Sequence, residues 1–562
     1  MKRNIVICEY ISTGFNYIDD ALARGYEPVL LESQIAGTEE DQALFRALRD
    51  PLKAKLKGRF RVIPENPDYD EVLRQVKELD PVLVIAGSEF GVSLATRLAE
   101  DLGLPGNPAS RLRAMTEKDS MHQALKDHGL RSIRGKVVTS EDEAVEYYKE
   151  LGKEDVVVKR VRGAGTQGVY ICHGYDEMLR SVRASFSNSA TEGNETVAIM
   201  LQERIMGTEY IVNTVSNDGR HRIVSVWKYD KLKMPNGTNA YNYAVAVPSL
   251  EIGHSQLMRY ACKVADAIGI KYGPIHGEYM VDEDGPVLIE VNCRPMGGNM
   301  QRKYVESIFG QHETDSALDS YLDPGKFEEE SRKPYKIRKN GAMKFFIIPE
   351  DTDVASAPVL QIATHLRSFY SASFDQIGRT MTLPETKNLE TAGGTVYLLH
   401  EDEKILREDL ELLHLLEMKY PRILFQGLKG AGDNAKTDPD ITSVIEAAGY
   451  RGATLVFSDT ISDIDGASVA DSSKLADAYD SYEQGILDLS RPESFADLES
   501  VIQQIYTFAG KIRRGGRVLI PESTYCNLPY GMEGMEILLK VAGLNIELPA
   551  DSMESLLIAS VL

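Results

Sequence analysis

A chain of 562 residues with 43% hydrophobic content can fill several packed cores, three or four on a length prior. A formal charge of −22 leaves no basic face for nucleic acid, and no apolar run approaches the span of a membrane helix. Cys8, Cys172, Cys262, Cys293 and Cys526 lie scattered with no C-x-x-C pair, which argues against a disulfide frame or zinc and for reduced thiols in a cytoplasmic protein. The start, MKRNIVICEY, reads as a buried strand after two basic residues, with no small-residue cleavage pattern.

In chain order, residues 4–10, 27–32 and 81–86 are apolar runs spaced by helical stretches, a βαβ pattern that predicts a small parallel sheet. The stretch Gly103 to Pro108 closes this first domain, 1–112. RAMTEKDSMHQALKDHGL then predicts a helix carrying Lys118, with Thr116 as its N-cap. DVVVKRVRGAGTQGVY predicts a strand ending at Lys159, a loop with Gly163, Gly165 and Gly168, and a second strand from Val169. Such glycines let backbone N–H groups approach phosphates, and Lys159 would add a compact charge. VAIMLQERIMGTEYIVNTVS gives an apolar strand edge, then Gln202 and Glu203, a turn at Gly207 and Glu209 opening another strand. That order suits an adenine slot with a ribose acceptor beyond it. Taken singly, these pieces also read as an ordinary hairpin, a surface turn and a solvated helix.

SVWKYDKLKMPNGTNAYNYAVAVPS is rich in aromatics; Trp227, Tyr241 and their neighbours read either as a substrate pocket or as core. The most informative segment follows. HGEYMVDEDG puts Glu278 on a strand that the Asp282–Gly285 turn folds back, and VLIEVNCRPMGGN carries Glu290, Asn292 and Arg294 at alternate positions. Alternation points those three side chains to one face, offering two oxygen ligands for a hard divalent cation and one guanidinium for phosphate or carboxylate. Cys293 points the other way, into core. His276, two residues before Glu278, is the ring best placed to take a proton. Gly297 and Gly298 offer backbone donors to a carboxylate.

The order Lys118, Lys159, glycine loop, Gln202-Glu203, Glu209, Glu278, Glu290-x-Asn292-x-Arg294 resembles the ATP-grasp superfamily, in particular its carboxylate–amine ligases of the L-amino acid (dipeptide) ligase kind. The resemblance spans roughly residues 1 to 420, with GSEFGVSLATRLAEDLGLPGN ahead of Lys118 as a second specific piece. It implies a multidomain α/β fold: an N-terminal Rossmann-like pre-ATP-grasp domain (1–112), a two-lobed α+β ATP-grasp domain (113–335) and a small α+β C-terminal lobe (336–420). It implies ATP phosphates on Lys118, Lys159 and the loop of Gly163, Gly165 and Gly168, and adenosine on Gln202, Glu203 and Glu209. It also implies Mg²⁺, with Mn²⁺ as the alternative ion, on Glu278, Glu290 and Asn292. Arg294 would hold the acyl phosphate or substrate carboxylate, with Lys159 and His276 assisting the chemistry. Glu89, Trp227, Tyr241, Gly297 and Gly298 would contact substrates. This chain has Arg160 where many relatives carry Pro, and Thr166-Gln167 where Ser is common.

The implied reaction is ATP-dependent amide formation between amino-acid-like carboxylate and amine substrates, in a cytoplasmic enzyme with no nucleic-acid or membrane partner; a homodimer stays open. Bicarbonate-using carboxylase or carbamoyl-phosphate chemistry and a nucleotide-binding regulatory role are the competing expectations. From about 421 the pattern restarts: RILFQGLKGAG, ATLVFSDT, QGILDLS and GGRVLIPE are strand-like, and 21 Asp and Glu against 11 Lys and Arg give this region about −10 of the charge. It resembles, weakly, a Rossmann-like S-adenosylmethionine methyltransferase, with Gly427, Gly430 and Gly432 as a degraded glycine loop and Asp459 as a ribose acid. A structural appendage (421–562) is expected over a ligase–methyltransferase, and S-adenosylmethionine is not expected as a cofactor.

Overall fold

The computed structural model describes residues 3–33, 39–56, 58–161, 169–191, 198–234, 239–248, 252–298, 300–354, 357–374, 382–387, 389–419, 421–425, 453–458, 467–471, 473–478, 481–489, 498–521, 531–547 and 556–561. The chain divides into two compact units, Met1–Gly341 with Lys387–Leu389, and Ala342–Thr386 with Glu390–Leu562. No helix among the described residues is long and apolar enough to cross a membrane.

The first unit opens with a parallel sheet of β1 (Asn4–Cys8), β2 (Glu27–Leu31), β3 (Arg61–Ile63) and β4 (Pro81–Ala86), in the order β3-β2-β1-β4. Its three longer strands are almost continuously apolar because helices cover a parallel sheet on both faces. β3, with only three residues, has too short an apolar run to stand out in the sequence. At the C-terminal edge of β1, Glu9 and Ser12 adopt φ of 56° and 57°, sparsely populated for residues with a side chain. A Cβ on Gly87, just after β4, would stand 2.5 Å from the Glu9 carbonyl oxygen, so only glycine lets the two edge loops close together.

A small antiparallel sheet follows, β5 (Gly135–Val138), β6 (Asp155–Arg160), β7 (Tyr170–His173) and β8 (Ile199–Glu203), ordered β5-β8-β6-β7 and backed by helices Glu141–Leu151 and Tyr175–Thr191. The large antiparallel sheet of this unit has β9 (Thr208–Asn217), β10 (Arg220–Lys233), β11 (Asn239–Ala246), β12 (Gly273–Asp282) and β13 (Gly285–Asn292), ordered β13-β12-β9-β10-β11. The expected Asp282–Gly285 turn joins β12 to β13, and Arg131 clamps it through both carboxylate oxygens of Asp282 at 2.6 Å. One apolar cluster runs from Val6, Val29 and Val84 of the first sheet to Leu257, Val264 and Leu288 beside the large one, so the two share a core.

Helix Asn16–Ala23 is tied to helix Glu313–Leu322 by ions. Asp20 accepts from His312 at 2.9 Å, Thr314 at 2.6 Å and Arg302 at 3.0 Å, while Arg24 reaches Asp315 at 2.6 Å. With every oxygen of Asp20 engaged, this Asp20–His312–Asp315 cluster is a clasp, not a cation site. Burial alone would lower the His312 pKa, but Asp20, with Asp315 and Glu306, outweighs burial and raises it above the ordinary 6.5. A raised folded-state pKa gives stability that is complete below 6.5 and is lost as pH climbs through the raised value. Wild type is therefore expected to outlast a His312→Asn variant in urea at pH 6 and to lose that advantage, roughly the 1.5–3 kcal/mol of a charge-assisted hydrogen bond, by pH 9. An equal gap at both pH values would refute the assignment.

In the second unit, β14 (Asn340–Phe345), β18 (Thr395–His400) and β16 (Phe369–Ser373) lie side by side, with β15 (Thr352–Asp353) and β17 (Thr382–Leu383) as a two-stranded annex. A second sheet holds β19 (Thr454–Phe457), β20 (Ser468–Ala470), β21 (Tyr482–Leu487), β22 (Ile512–Pro521), β23 (Leu544–Glu547) and β24 (Leu556–Val561), ordered β20-β19-β21-β22-β24-β23. The first four are parallel and β24 and β23 antiparallel. This corrects one expectation. RILFQGLKGAG was read as the strand leading into a glycine loop, yet Pro421–Leu424 is helical. β19 pairs directly with both β20 and β21, leaving no slot beside it for a further strand. Gly427, Gly430, Gly432 and Asp459 lie outside the described residues.

Candidate functional site

The register of the large sheet assembles the site. Glu278 on β12 lies directly opposite Glu290 on β13, and His276 opposite Asn292. Like charges facing each other across neighbouring strands are destabilising, and Glu278 and Asn292 are largely buried. Partial compensation comes from Lys118, whose Nζ stands 2.8 Å from Glu290 Oε2, while the His276 ring lies beside Glu278 with Nε2 3.5 Å from Oε1. Burial disfavours the His276 imidazolium, and the nearby cations Lys231 and Arg294 favour the ionised form of Glu278 against the desolvation it suffers. Two opposed carboxylates with an amide oxygen alongside form a hard-oxygen donor set that fits Mg²⁺ or Mn²⁺.

Lys118 is the first residue of helix Lys118–Asp127, aimed at the sheet from its N-terminus. The N-cap differs from expectation. Thr116 ends the preceding short helix and donates to the Leu112 carbonyl, and Glu117 occupies the cap position. Lys159, near the end of β6, is buried; burial, reinforced by Lys118, lowers its pKa to about 8, against the pull of Glu290 and Glu278. The two lysines and two acids thus form one charge cluster. Gly163, Gly165 and Gly168 lie outside the described residues.

Gln202 on β8 is buried, and its Oε1 lacks a hydrogen-bond partner among the described residues. An orphaned amide oxygen of this kind suits the exocyclic amine of a base. Glu203 instead engages Arg134, accepting from its backbone N at 2.9 Å and its Nε at 3.0 Å. Glu209 pairs with Lys231 at 2.7 Å. Lys231 also lies over the Tyr241 ring, 4.3 Å from its centroid. Sequence reasoning passed over Lys231, because a register shift between Asp230 and Lys231 breaks the alternation that would have flagged it. Tyr241 sits close enough to Glu278, Glu209 and Glu290 for their charge to raise its pKa further after burial, so it belongs beside the acids.

Trp227 is corrected to core: it is fully buried, 5.2 Å from Phe309 and stacked on Tyr304 at 6.4 Å. Beyond β13 the chain bends. Arg294 donates to the Pro295 carbonyl at 2.9 Å, and its Nε is 3.8 Å from Oε2 of Glu89, which opens a short 3-10 turn after β4. Burial raises the Glu89 pKa to about 7, with Arg294 opposing and Glu290 adding to the rise. Gly297 and Gly298 follow; Gly298 has φ of 80°, and the turn is pinned to the segment after β1 by Thr13, which accepts Met300 N–H at 3.0 Å. Thr13, Asn213, Ser225 and Glu313 also surround this site. Their partners come from other strands or from the turn after β13, which a linear pattern does not reveal.

Residues 153–303 match the family described as ATP-grasp domain. The chain carries an ATP-grasp domain. Dapdiamide A synthase of Enterobacter agglomerans is 27% identical over 301 residues, covering 53% of this chain and 70% of that one. Carnosine synthase 1 of Gallus gallus is 28% identical over 261 residues, 43% of this chain and only 27% of that protein. The crystal structure of the L-amino acid ligase from Bacillus licheniformis superposes with a TM-score of 0.55 at 18% identity, covering 74% of this chain and 97% of that one, which establishes a shared ATP-grasp fold. The chain is thus similar to dapdiamide A synthase and carnosine synthase 1 in sequence and to the L-amino acid ligase in fold.

Proposed function

We propose that this protein is an ATP- and Mg²⁺-dependent ligase that joins the carboxylate of one amino-acid-like substrate to the amine of another through an acyl phosphate, releasing ADP and phosphate. The observation that carries this reading is the half-buried Glu278–Glu290 pair, faced by Lys118 and Lys159 and followed by Arg294. Glu278, Glu290 and Asn292 would hold the metal, which when bound neutralises phosphate charge as the γ-phosphoryl group transfers.

Lys118 and Lys159 orient the phosphates while the substrate carboxylate oxygen attacks γ-phosphorus in line, and ADP departs. Arg294 offers a planar fork to the acyl phosphate, and the Gly297–Gly298 turn offers backbone donors. The amine then attacks the acyl carbon, phosphate leaves with the C–O bond electrons, and the amine's proton passes to a base. His276 fills that role: neutral through burial, it keeps one ring nitrogen available toward the acids. Glu89 receives the ammonium of a substrate, its Oε2 having no hydrogen-bond partner among the described residues.

The decisive assay measures ADP and phosphate release with ATP, Mg²⁺ and a matrix of amino acid pairs, followed by product mass. Release that depends on the pair, with a product equal to both substrates minus water, supports the ligase. Release that requires bicarbonate instead supports the carboxylase-type chemistry. Glu89→Gln is expected to raise KM for the substrate whose ammonium it holds by roughly 10–100-fold, the value of a charge-assisted hydrogen bond. KM for ATP should stay within about twofold. An equal rise for both would place Glu89 outside the substrate pocket.

A further inference from the structure

One row of polar side chains crosses the large sheet. Asn292 on β13 faces His276 on β12, His276 faces Asn213 on β9, and Asn213 faces Ser225 on β10. An irregularity between Ile223 and Ser225 is what brings Ser225 into line. All four are buried.

The hydrogen bonds along this row share one direction. His276 Nδ1 lies 2.9 Å from Asn213 Oδ1, an acceptor, so Nδ1 carries the ring proton. Asn213 Nδ2 donates to Ser225 Oγ at 2.8 Å and toward Met296 Sδ at 3.4 Å. Ser225 in turn bonds the carboxylate of Glu313. That carboxylate, on the first residue of helix Glu313–Leu322, also accepts Met296 N–H at 2.6 Å. In its ionised form Glu313 can only accept, and an acceptor of that kind at the end of the chain orders every donor before it. Burial pushes the Glu313 carboxyl up to about 7 despite Met296 N–H and Arg294, so keeping an acid here costs folding free energy that an apolar residue would not.

We propose that Glu313 is a positioning residue with two effects on the active site. As terminal acceptor of the row it holds His276 in the Nδ1–H tautomer, leaving Nε2 bare toward Glu278. Through Met296 N–H it fixes the turn that presents Arg294 and the two glycines. The inference rests on the ligase reading of His276 and that turn.

Two variants separate the effects. Ser225→Ala cuts the row and leaves the Met296 contact alone. Glu313→Gln still accepts Met296 N–H but turns an amide N–H₂ toward Ser225, reversing the hydroxyl. ¹⁵N spectra of histidine-labelled protein, with the His276 signal assigned by its loss in His276→Asn, read the tautomer directly. Wild type is expected to show Nδ1–H at His276, and both variants to lose it in favour of Nε2–H or a mixture. In turnover, Ser225→Ala should lower kcat about tenfold with KM for the carboxylate substrate unchanged, and Glu313→Ala should also raise that KM about tenfold. A wild-type tautomer in both Ser225→Ala and Glu313→Gln overturns the proposal. The spectra decide this even if no amino acid pair turns over, an outcome that would sink the ligase reading and not the tautomer assignment.

Discussion

A Glu290→Gln variant is expected to fold normally and lose ADP release by roughly 10³-fold. Metal neutralisation of a transferring phosphoryl group is worth several kcal/mol, and each 1.36 kcal/mol is tenfold in rate. Glutamine keeps the shape of Glu290 but removes one of two charges that would hold the ion. The fold has less at stake. Losing the Lys118 ion pair is offset by relief of the repulsion from Glu278, two opposing terms among the same mostly buried charges. The melting temperature should therefore move by only about 3 °C. Mg²⁺ with ATP should stabilise wild type, by about 2.7 kcal/mol at a hundredfold excess over Kd, and stabilise the variant far less. Undiminished ADP release by Glu290→Gln would refute the metal assignment.

Much of this site could be read along single strands. Alternation put Glu290 and Asn292 on one face, the short turn brought Glu278 back opposite Glu290, and the register agrees. What lies across strands could not be read that way. Ser225 joins Asn213 only because the register shifts between Ile223 and Ser225, and Lys231 reaches Glu209 past another shift. Neither shift carries a glycine or proline that would announce it. Trp227 shows the converse. It lies opposite Ile211, itself opposite Glu278, so its strand position is that of a site residue. Tyr304 and Phe309, from a helix over 70 residues downstream, close over it. Thr116 failed as a cap for a local reason: its hydroxyl satisfies the Leu112 carbonyl of its own short helix.

The C-terminal region shows how apolar runs mislead when pairing is unknown. RILF has the composition of a buried strand, and its neighbours Thr454–Phe457 and Tyr482–Leu487 do form parallel strands. Those two pair with each other, and residues 421–424 take a helical turn instead. Composition supplied the apolar character, and only the ladder decided which segments entered the sheet.

Arg294→Lys tests whether the fork, and not just the charge, matters. Arg294 is mostly buried, with one Nη committed to the Pro295 carbonyl at 2.9 Å and Nε facing Glu89 at 3.8 Å. Its remaining N–H groups form a flat pair suited to two oxygens of a phosphate or carboxylate. A lysine ammonium would supply similar charge but could not hold the Pro295 carbonyl and a bidentate ligand together. Loss of one preorganised donor set typically costs roughly 10²–10³-fold in rate. If the fork serves the acyl phosphate, that loss should fall on kcat, with KM for the carboxylate substrate little changed. A purely electrostatic role predicts a different result: Arg294→Lys close to wild type and Arg294→Met inactive. Normal kcat in both variants would remove Arg294 from the site, and the oxygens of the acyl phosphate would have to be held by Lys118 and Lys159 alone.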